Sequence, residues 1–491
     1  MTTVRISLAK YDNEVTATVD WFLKRANSGK PNVPEEGSEP VKATLQTLVN
    51  GREAFEAVYN KIERAKYSVD IAIWGFQPSM FFRRDGHSHC IGELLIKKIL
   101  DNPQFQVRLL VWQMVGSLET VMEANLGNFP ELLLFQKGRV DGVSDEQAAY
   151  DRFWYEAIRG NLLTREELSD AVLKGIGNVD KVFMDYHYFR KRHLFSAELL
   201  RQFNVSPYRK NLQVKFRSVA SQQNTYLDDK LPSQAQLVLK TTASHHQKTV
   251  LIDYESPQDA VGFVLEHNMV DNYWDDDSHS MAVADSPNIG KNSPTPLQDV
   301  SSIVSGQELW DLNRNFCDSW LRQDSRLWNH RLSAAEQARE EEVIAARRKI
   351  RREVFPLSGE GTKLMAQILR TYDKPDVEDI KAMYLRNIRH TTSYIYTENQ
   401  YFRFPPLVKA FIAHWNTLRQ NNRDNSKPIH WFVVTNSSDA GIGSGTYTTN
   451  EMFKLLGRQE VMPEVAKQVR IQELEQEIRT NRLKGYSQEV E

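Results

Sequence analysis

Ser244-His245-His246-Gln247-Lys248-Thr249-Val250-Leu251-Ile252-Asp253 sets two basic side chains, His246 and Lys248, at the front of an apolar, β-branched run. Successive side chains of a strand alternate between its two faces, so residues two apart share one. His246 and Lys248 therefore point together into one pocket. Asp253 has the opposite parity and faces away from them in an unbulged strand. The pattern implies a division of labour. His246 is the reacting group, Lys248 clamps an anion, and Asp253 supports the pair structurally. His245 reads as a core or solvent-facing histidine.

Working outward, the chain after Asp253 makes a hairpin and returns as Ala260-Val261-Gly262-Phe263-Val264-Leu265, then enters an aspartate-rich loop from Asp271 to Asp277. Upstream, Gln236–Lys240 reads as a strand feeding the His246 segment. Gly51–Ala65 has helical spacing, with Phe55, Val58, Tyr59 and Ile62 on one face. Tyr67–Phe76 is an apolar strand closed by Pro78. A helix at Ile91–Leu100 leads to a second buried strand, Val107–Trp112. The alternation of helix and strand predicts an α/β layer around a largely buried sheet.

The flanking regions complete the expected layout. Residues 1–40 form an arm, with a short strand, a helix at Val15–Arg25 and a Pro- and Gly-bearing linker from Gly29 to Pro40. Residues 115–235 alternate helical patches with polar turns. Within them, Asp185–Arg192 mixes aromatic and basic residues, as a solvated insertion or as a rim that engages lipid headgroups. Gln307–Leu321 is an amphipathic helix. Ala334–Arg352, dense in Glu, Arg and Lys, reads as a solvated helix bridging two lobes.

Beyond it, a helix at Val377–Ile388, a strand at Tyr394–Phe402 and a strand at His430–Asn436 repeat the order of the first lobe. Glu460–Asn481 reads as a charged helix. The expected domains are an arm at 1–40, a first lobe at 41–333, a linker helix at 334–358 and a partial second lobe at 359–491.

Composition sets bounds. With 491 residues the chain has room for two or three domains with sizeable cores. Its 41% hydrophobic and 26% charged residues fit a globular protein. A formal net charge of -2 gives no global basic field to draw it to nucleic acid. The only cysteines, Cys90 and Cys317, cannot staple a fold of this size and read as inert thiols. The N-terminus lacks the apolar core of a secretory signal, and no run of about 18 apolar residues is long enough to span a bilayer.

The spacing His246-x-Lys248-x-x-x-x-Asp253 resembles a half-site of the phospholipase D superfamily. The strand Ser68–Phe76 with Gln77-Pro78-Ser79-Met80 precedes it. His267-Asn268-Met269, Tyr273-Trp274-Asp275 and Tyr396-Thr397-Glu398-Asn399-Gln400-Tyr401-Phe402 follow in the order found in two-lobed members. From about residue 40 to the end, the chain is most similar to the bacterial phospholipase D-type lipase effectors delivered by type VI secretion. The resemblance implies a two-lobed α/β fold of mixed sheets flanked by helices, with the second lobe incomplete in this chain.

It implies hydrolysis of a glycerophospholipid phosphodiester without metal or other cofactor, through a phosphohistidine. Two histidines split one hard displacement into two easier ones. An imidazole with pKa near roughly 6.5 serves as base in one step and acid in the other. His246, Lys248 and Asp253 would form the catalytic half-site, and Asn268 would bind phosphate with Lys248. Asp275 or Asp277 would orient the histidine. Glu398, on the second lobe, would support a counterpart histidine.

Two departures stand out. Leu265-Glu266 replaces the usual glycine-rich turn, putting an acidic residue beside a phosphate site. No second His-x-Lys occurs: His87, His89, His187, His193, His245, His267, His279, His330, His390, His414 and His430 all lack a lysine two residues on. Three explanations fit: a separate chain or C-terminal fragment completes the site, the sequence is truncated, or the chain self-associates.

The resemblance also implies a phospholipid membrane surface as partner, an immunity protein, and a secretion-spike or adaptor protein. The protein would pass from the producer's cytoplasm, without a signal peptide, into a target cell's periplasm or a host. Competing readings are a metal-independent nuclease of the same fold, disfavoured by the near-neutral charge, and an inactive half that needs a partner. Asp275-Asp276-Asp277 could suit a hard cation, but three consecutive aspartates without a spaced partner motif read as a solvated loop. Tyr394, Tyr396 and Tyr401 read as core or rim rather than a nucleobase platform.

Overall fold

The computed structural model describes residues 9–10, 39–112, 142–163, 182–183, 194–217, 245–322, 334–358, 360–373, 376–399, 401–435 and 445–458. The expected helix Val15–Arg25, the segment Asp185–Arg192, the strand Gln236–Lys240 and the tail helix Glu460–Asn481 lie outside the described residues.

In chain order, β1 (Ala9–Lys10) and β2 (Val41–Val49) lead into α1 (Asn50–Arg64), β3 (Ser68–Ile73), α2 (Ile91–Asp101) and β4 (Gln106–Trp112). Next come α3 (Asp145–Arg159), a short pair β5 (Leu162–Leu163) and β6 (Val182–Phe183), α4 (Ala197–Val205) and β7 (Leu212–Arg217). The hairpin β8 (Thr249–Ile252) and β9 (Val261–Val264) is followed by β10 (Val300–Gly306), α5 (Leu309–Arg322), α6 (Ala334–Lys349) and β11 (Thr362–Ala366). A small pair, β12 (Thr371–Asp373) and β13 (Asp376–Glu378), precedes α7 (Asp379–His390), β14 (Tyr394–Asn399), α8 (Pro405–Gln420), β15 (His430–Thr435) and α9 (Gly445–Leu455). No helix among the described residues is long and apolar enough to cross a membrane.

The architecture is mixed α/β, dominated by a nine-stranded mixed sheet in the order β1-β11-β2-β10-β9-β8-β3-β4-β7. β3, β4 and β7 run parallel, while β8, β9, β10, β2 and β11 alternate antiparallel outward from β3. Every residue of β3 is buried, so helices cover both faces. Val69, Ile71 and Ile73 pack in one core with α1, α2 and α3 residues such as Phe55, Leu95 and Trp154. Ala72 faces the other way, into Phe316, Cys317, Trp320 and Ile344 of α5 and α6.

Two local devices place the elements that matter. α3 opens on a capping box in which Ser144 and Gln147 satisfy each other's backbone amides. A Cβ on Gly51 would stand 2.2 Å from the Tyr273 carbonyl oxygen, so only glycine lets α1 meet the 273–275 backbone.

The charged segment expected to bridge two lobes behaves differently. α6 is largely exposed, but Ile344 and Arg347 are buried. Arg347 pairs with Asp70 of β3 at 2.5 Å, and Glu340 pairs with Arg108 of β4 at 2.5 Å. Arg108 also reaches Asp70 at 3.2 Å. α6 is thus a layer of the first unit, held by a buried ion network. Past the boundary expected at 358/359, β11 pairs with β2, and the division into two compact units falls between Val377 and Glu378. Ala9 and Lys10, expected in a separate arm, pair with Met365 and Leu364 of β11. Backbone pairing across long sequence separations decided these boundaries.

In the second unit β14 and β15 pair in parallel, Tyr394 opposite His430 and Glu398 opposite Val434. Helix, strand, helix and parallel strand recur in the order of α1, β3, α2 and β4. One face packs Trp431 and Val433 against Phe402, Val408, Met452 and Phe453. The other exposes Tyr394, Tyr396, Phe432 and Val434, each at least half exposed. Both cysteines are buried and free.

Candidate functional site

The ladder directions bring one set of loop ends to a single sheet edge. β2, β3, β4, β7 and β9 end there, and β8 and β10 begin there. Trp74, Trp112, Arg217, His246, Lys248, Asn268 and Asp299 all lie at this edge, where loops free of ladder bonding can present chemistry.

His246 and Lys248 share a face, as the parity of the segment requires. The Lys248 ammonium lies 3.3 Å from His246 Nδ1 and donates to the His246 carbonyl at 3.3 Å. The Lys248 carbonyl accepts from Leu265 N–H at 2.8 Å, which ties the site to the turn after β9. The His246 ring meets Trp74 edge-on, centroids 5.3 Å apart, and Trp74 stacks on Trp112 at 5.2 Å.

Opposite parity sends His245 into a separate polar cluster. It is buried, its Nδ1 against the Arg217 guanidinium. Arg217 also donates to Gln247 and Ser319.

Asn268 is fully buried, and among the described residues neither its amide oxygen nor its amide nitrogen has a hydrogen-bond partner. Its backbone is fixed next door by Met269 N–H to Gly75 O at 3.1 Å and by Gln77 N–H to Met269 O at 2.8 Å. A buried amide left unsatisfied costs about 1–3 kcal/mol, which a ligand can repay. His267 is turned into the core instead, with Nδ1 on Ser301 Oγ at 2.7 Å and its ring edge on Phe55.

Burial decides the electrostatics. Burial first, and the Lys248 charge second, lower the His246 pKa to about 2, so its ring is neutral at physiological pH. Burial also lowers the Lys248 pKa, against the opposing pull of Glu266 and Asp299. Burial and the neighbouring Glu266 raise Asp299 to about 6, with Lys248 opposing. The acidic residue in place of a glycine-rich turn thus acts electrostatically on the lysine. Burial lowers His267 to about 3.

The remaining sequence candidates lie elsewhere. The Asp253 carboxylate accepts from the N–H groups of Lys66, Tyr67 and Ser68 at 2.7, 2.7 and 3.0 Å, at the far end of β8 from Lys248. Its backbone is left-handed, φ 51°, a conformation Asp tolerates better than most residues. Asp253 therefore anchors the hairpin to the start of β3.

Asp275 holds His279 at 3.1 Å, Lys291 at 3.0 Å and the Leu297 N–H at 2.8 Å, and Asp277 accepts from the Asn50 side chain at 2.9 Å. Both carboxylates organise the 275–299 loop. Glu398 lies on the exposed face of β14 and accepts from Tyr396 O–H at 2.8 Å.

Trp74 and Asp299 escaped the sequence reading. The one available signal for Trp74 was its place just past the apolar strand that pairs with β8. Asp299 carried none, since its approach to Lys248 depends on β10 pairing with β9. Among the described residues no group of three His, Cys, Asp or Glu side chains is placed to hold a metal ion.

No protein-family model matches the chain, and no curated protein matches it. Among solved structures it is similar to NucT from Helicobacter pylori, with 13% identity over 57% of this chain and 98% of that one, at a TM-score of 0.25. It is also similar to phosphatidylserine synthase from Haemophilus influenzae Rd KW20, with 12% identity over 84% of this chain and a TM-score of 0.39. The match spans 65% of the synthase. Likeness of this extent assigns neither a family nor an activity to the chain.

Proposed function

We propose that the protein is a phosphodiesterase of phospholipase D type, acting on the distal phosphodiester of membrane glycerophospholipids. The observation that carries the reading is the His246 ring beside the Lys248 ammonium at the sheet end that also buries the unsatisfied Asn268 amide. A lysine and an amide donor are suited to non-bridging phosphate oxygens, where negative charge must be stabilised.

An ammonium donating to Nδ1 leaves the ring proton of a neutral imidazole on Nε2. Attack through Nε2 then requires Lys248 to turn toward the phosphate, releasing Nδ1 to take the ring proton. The Nε2–P bond forms, the P–O bond to the headgroup alcohol breaks, and the alkoxide takes a proton from a second acid. Water, giving its proton to the same group now in its basic form, attacks phosphorus, the N–P bond breaks, and phosphatidate leaves. The second acid is a counterpart histidine supplied by another chain or segment. The role of secreted, antibacterial or host-directed toxin belongs to the same proposal and rests on the sequence resemblance.

The test is headgroup release from phospholipid vesicles by the purified protein, with and without chelator. Release that resists chelation and is abolished by His246→Ala supports the reading. Activity retained by His246→Ala removes it. Plasmid cleavage in place of lipid hydrolysis would favour the nuclease reading.

A further inference from the structure

Between Asp275 and Asp299 the chain leaves the site edge of the sheet and returns to it through a loop whose large apolar side chains point outward. Met281 is 73% exposed, Val283 53% and Ile289 54%. Scattered single apolar side chains on a surface need no explanation, but three on one short loop mark a contact surface.

The loop is firmly built beneath them. Ala284 N–H meets Lys291 O at 2.6 Å, and Gly86 N–H meets Asn288 O at 2.8 Å. The Arg84 guanidinium donates to Gly290 O at 2.6 Å and to Asn292 at 2.8 Å, and buried Lys291 pairs with Asp275 at 3.0 Å. The stem is thus ordered by buried polar bonds, while the tip holds apolar groups in water.

We infer that the Met281–Ile289 tip is the surface by which the protein docks on a lipid bilayer of zwitterionic headgroups. Three exposed apolar side chains on one short loop can bury their surface among acyl chains. Charge selects the kind of bilayer. Asp277, just before the tip, and Asp285, within it, are exposed, with half-buried Asp276 and His279 beside Asp277. This acidic flank is repelled by anionic lipid and by polyanions. The inference rests on the phospholipid reading above and extends it, since the tip and the His246–Lys248 pair leave the same sheet edge.

The experiment is flotation of the full chain with phosphatidylcholine vesicles, and with vesicles containing phosphatidylglycerol. The variants are Met281→Asp/Val283→Asp/Ile289→Asp and, to separate polarity from charge, the same positions changed to Ser. Unchanged melting temperatures check that both fold.

Wild type is expected to float with phosphatidylcholine, gaining nothing from anionic lipid. Both triple variants should bind at least about tenfold more weakly, as loss of three inserted apolar side chains requires. His246→Ala should float like wild type. Equal flotation of wild type and both triple variants, or no flotation of wild type, overturns the inference. So does self-association that depends on the tip, which would make the occupant a protein. Tip-dependent flotation without lipid hydrolysis leaves the docking surface standing and removes only the hydrolase reading.

Discussion

The Lys248 ammonium stands 3.3 Å from Nδ1 of His246, close enough that its charge helps to keep that ring neutral. Replacing Lys248 with Met removes the charge but leaves the burial. The His246 pKa should therefore rise while staying below its ordinary 6.5, a shift measurable by NMR titration of the ring. Phosphodiester hydrolysis should fall on the order of 10²–10³-fold, because the main cation for the phosphate is gone. A ring that titrates no higher in Lys248→Met would show that the pair is not coupled.

Asp253 offers the opposite test. Three backbone N–H groups converge on its carboxylate. Asp253→Ala should cost about 2–4 kcal/mol of stability in urea unfolding, and Asp253→Asn less, since the amide keeps one acceptor and tolerates φ > 0. Turnover per folded molecule should stay within about threefold of wild type. A loss comparable to that of His246→Ala would place Asp253 in the chemistry.

The Asp70–Arg108–Arg347–Glu340 network predicts a stability effect far from the site. Arg347→Ala leaves Asp70 buried with only Arg108, and should cost about 3–5 kcal/mol by chemical denaturation. Adding Asp70→Asn should recover part of that loss, because the uncompensated charge is then gone. A double variant no more stable than the single would mean that Arg347 acts through packing alone.

Glu308 supplies the pH dependence. It is fully buried, neither carboxylate oxygen has a hydrogen-bond partner among the described residues, and burial with nearby Asp311 raises its pKa from 4.5 to about 8. A carboxyl with a raised folded-state pKa costs nothing below its unfolded value. Its penalty grows as pH climbs from about 4.5 to about 8 and then levels off. Glu308→Gln should therefore match wild type near pH 4 and exceed it by roughly 2–4 kcal/mol at pH 8. Urea unfolding at the two pH values checks this, and equal stabilities at pH 8 would refute it.

Alternation and periodicity made much of the first unit legible. Phe55, Val58, Tyr59 and Ile62 marked α1, the apolar runs at Tyr67–Phe76 and Val107–Trp112 marked the strands that the structure pairs in parallel as β3 and β4, and the β8–β9 hairpin fell where expected. β2, β7 and β10 were not legible, because each is recognised by the strand beside it rather than by its own pattern. α6 was legible as a largely exposed helix, but its buried ion pairs were not, for a related reason. Glu340 and Arg347 look like solvent residues until Asp70 and Arg108 stand opposite them.

The sequence alone determined that His246 and Lys248 would share a face and that Asp253 would point elsewhere, since strand parity is a local property of the chain. It also determined the matching order of helices and parallel strands in the two units. Tertiary structure alone decided what surrounds the pair. Asp299 and Glu266 bear electrostatically on Lys248, Trp74 meets His246 edge-on, and Asp275 serves its own loop, all through pairings between distant segments. Those contacts depend on which strand edges meet, and local side-chain patterning does not encode that choice.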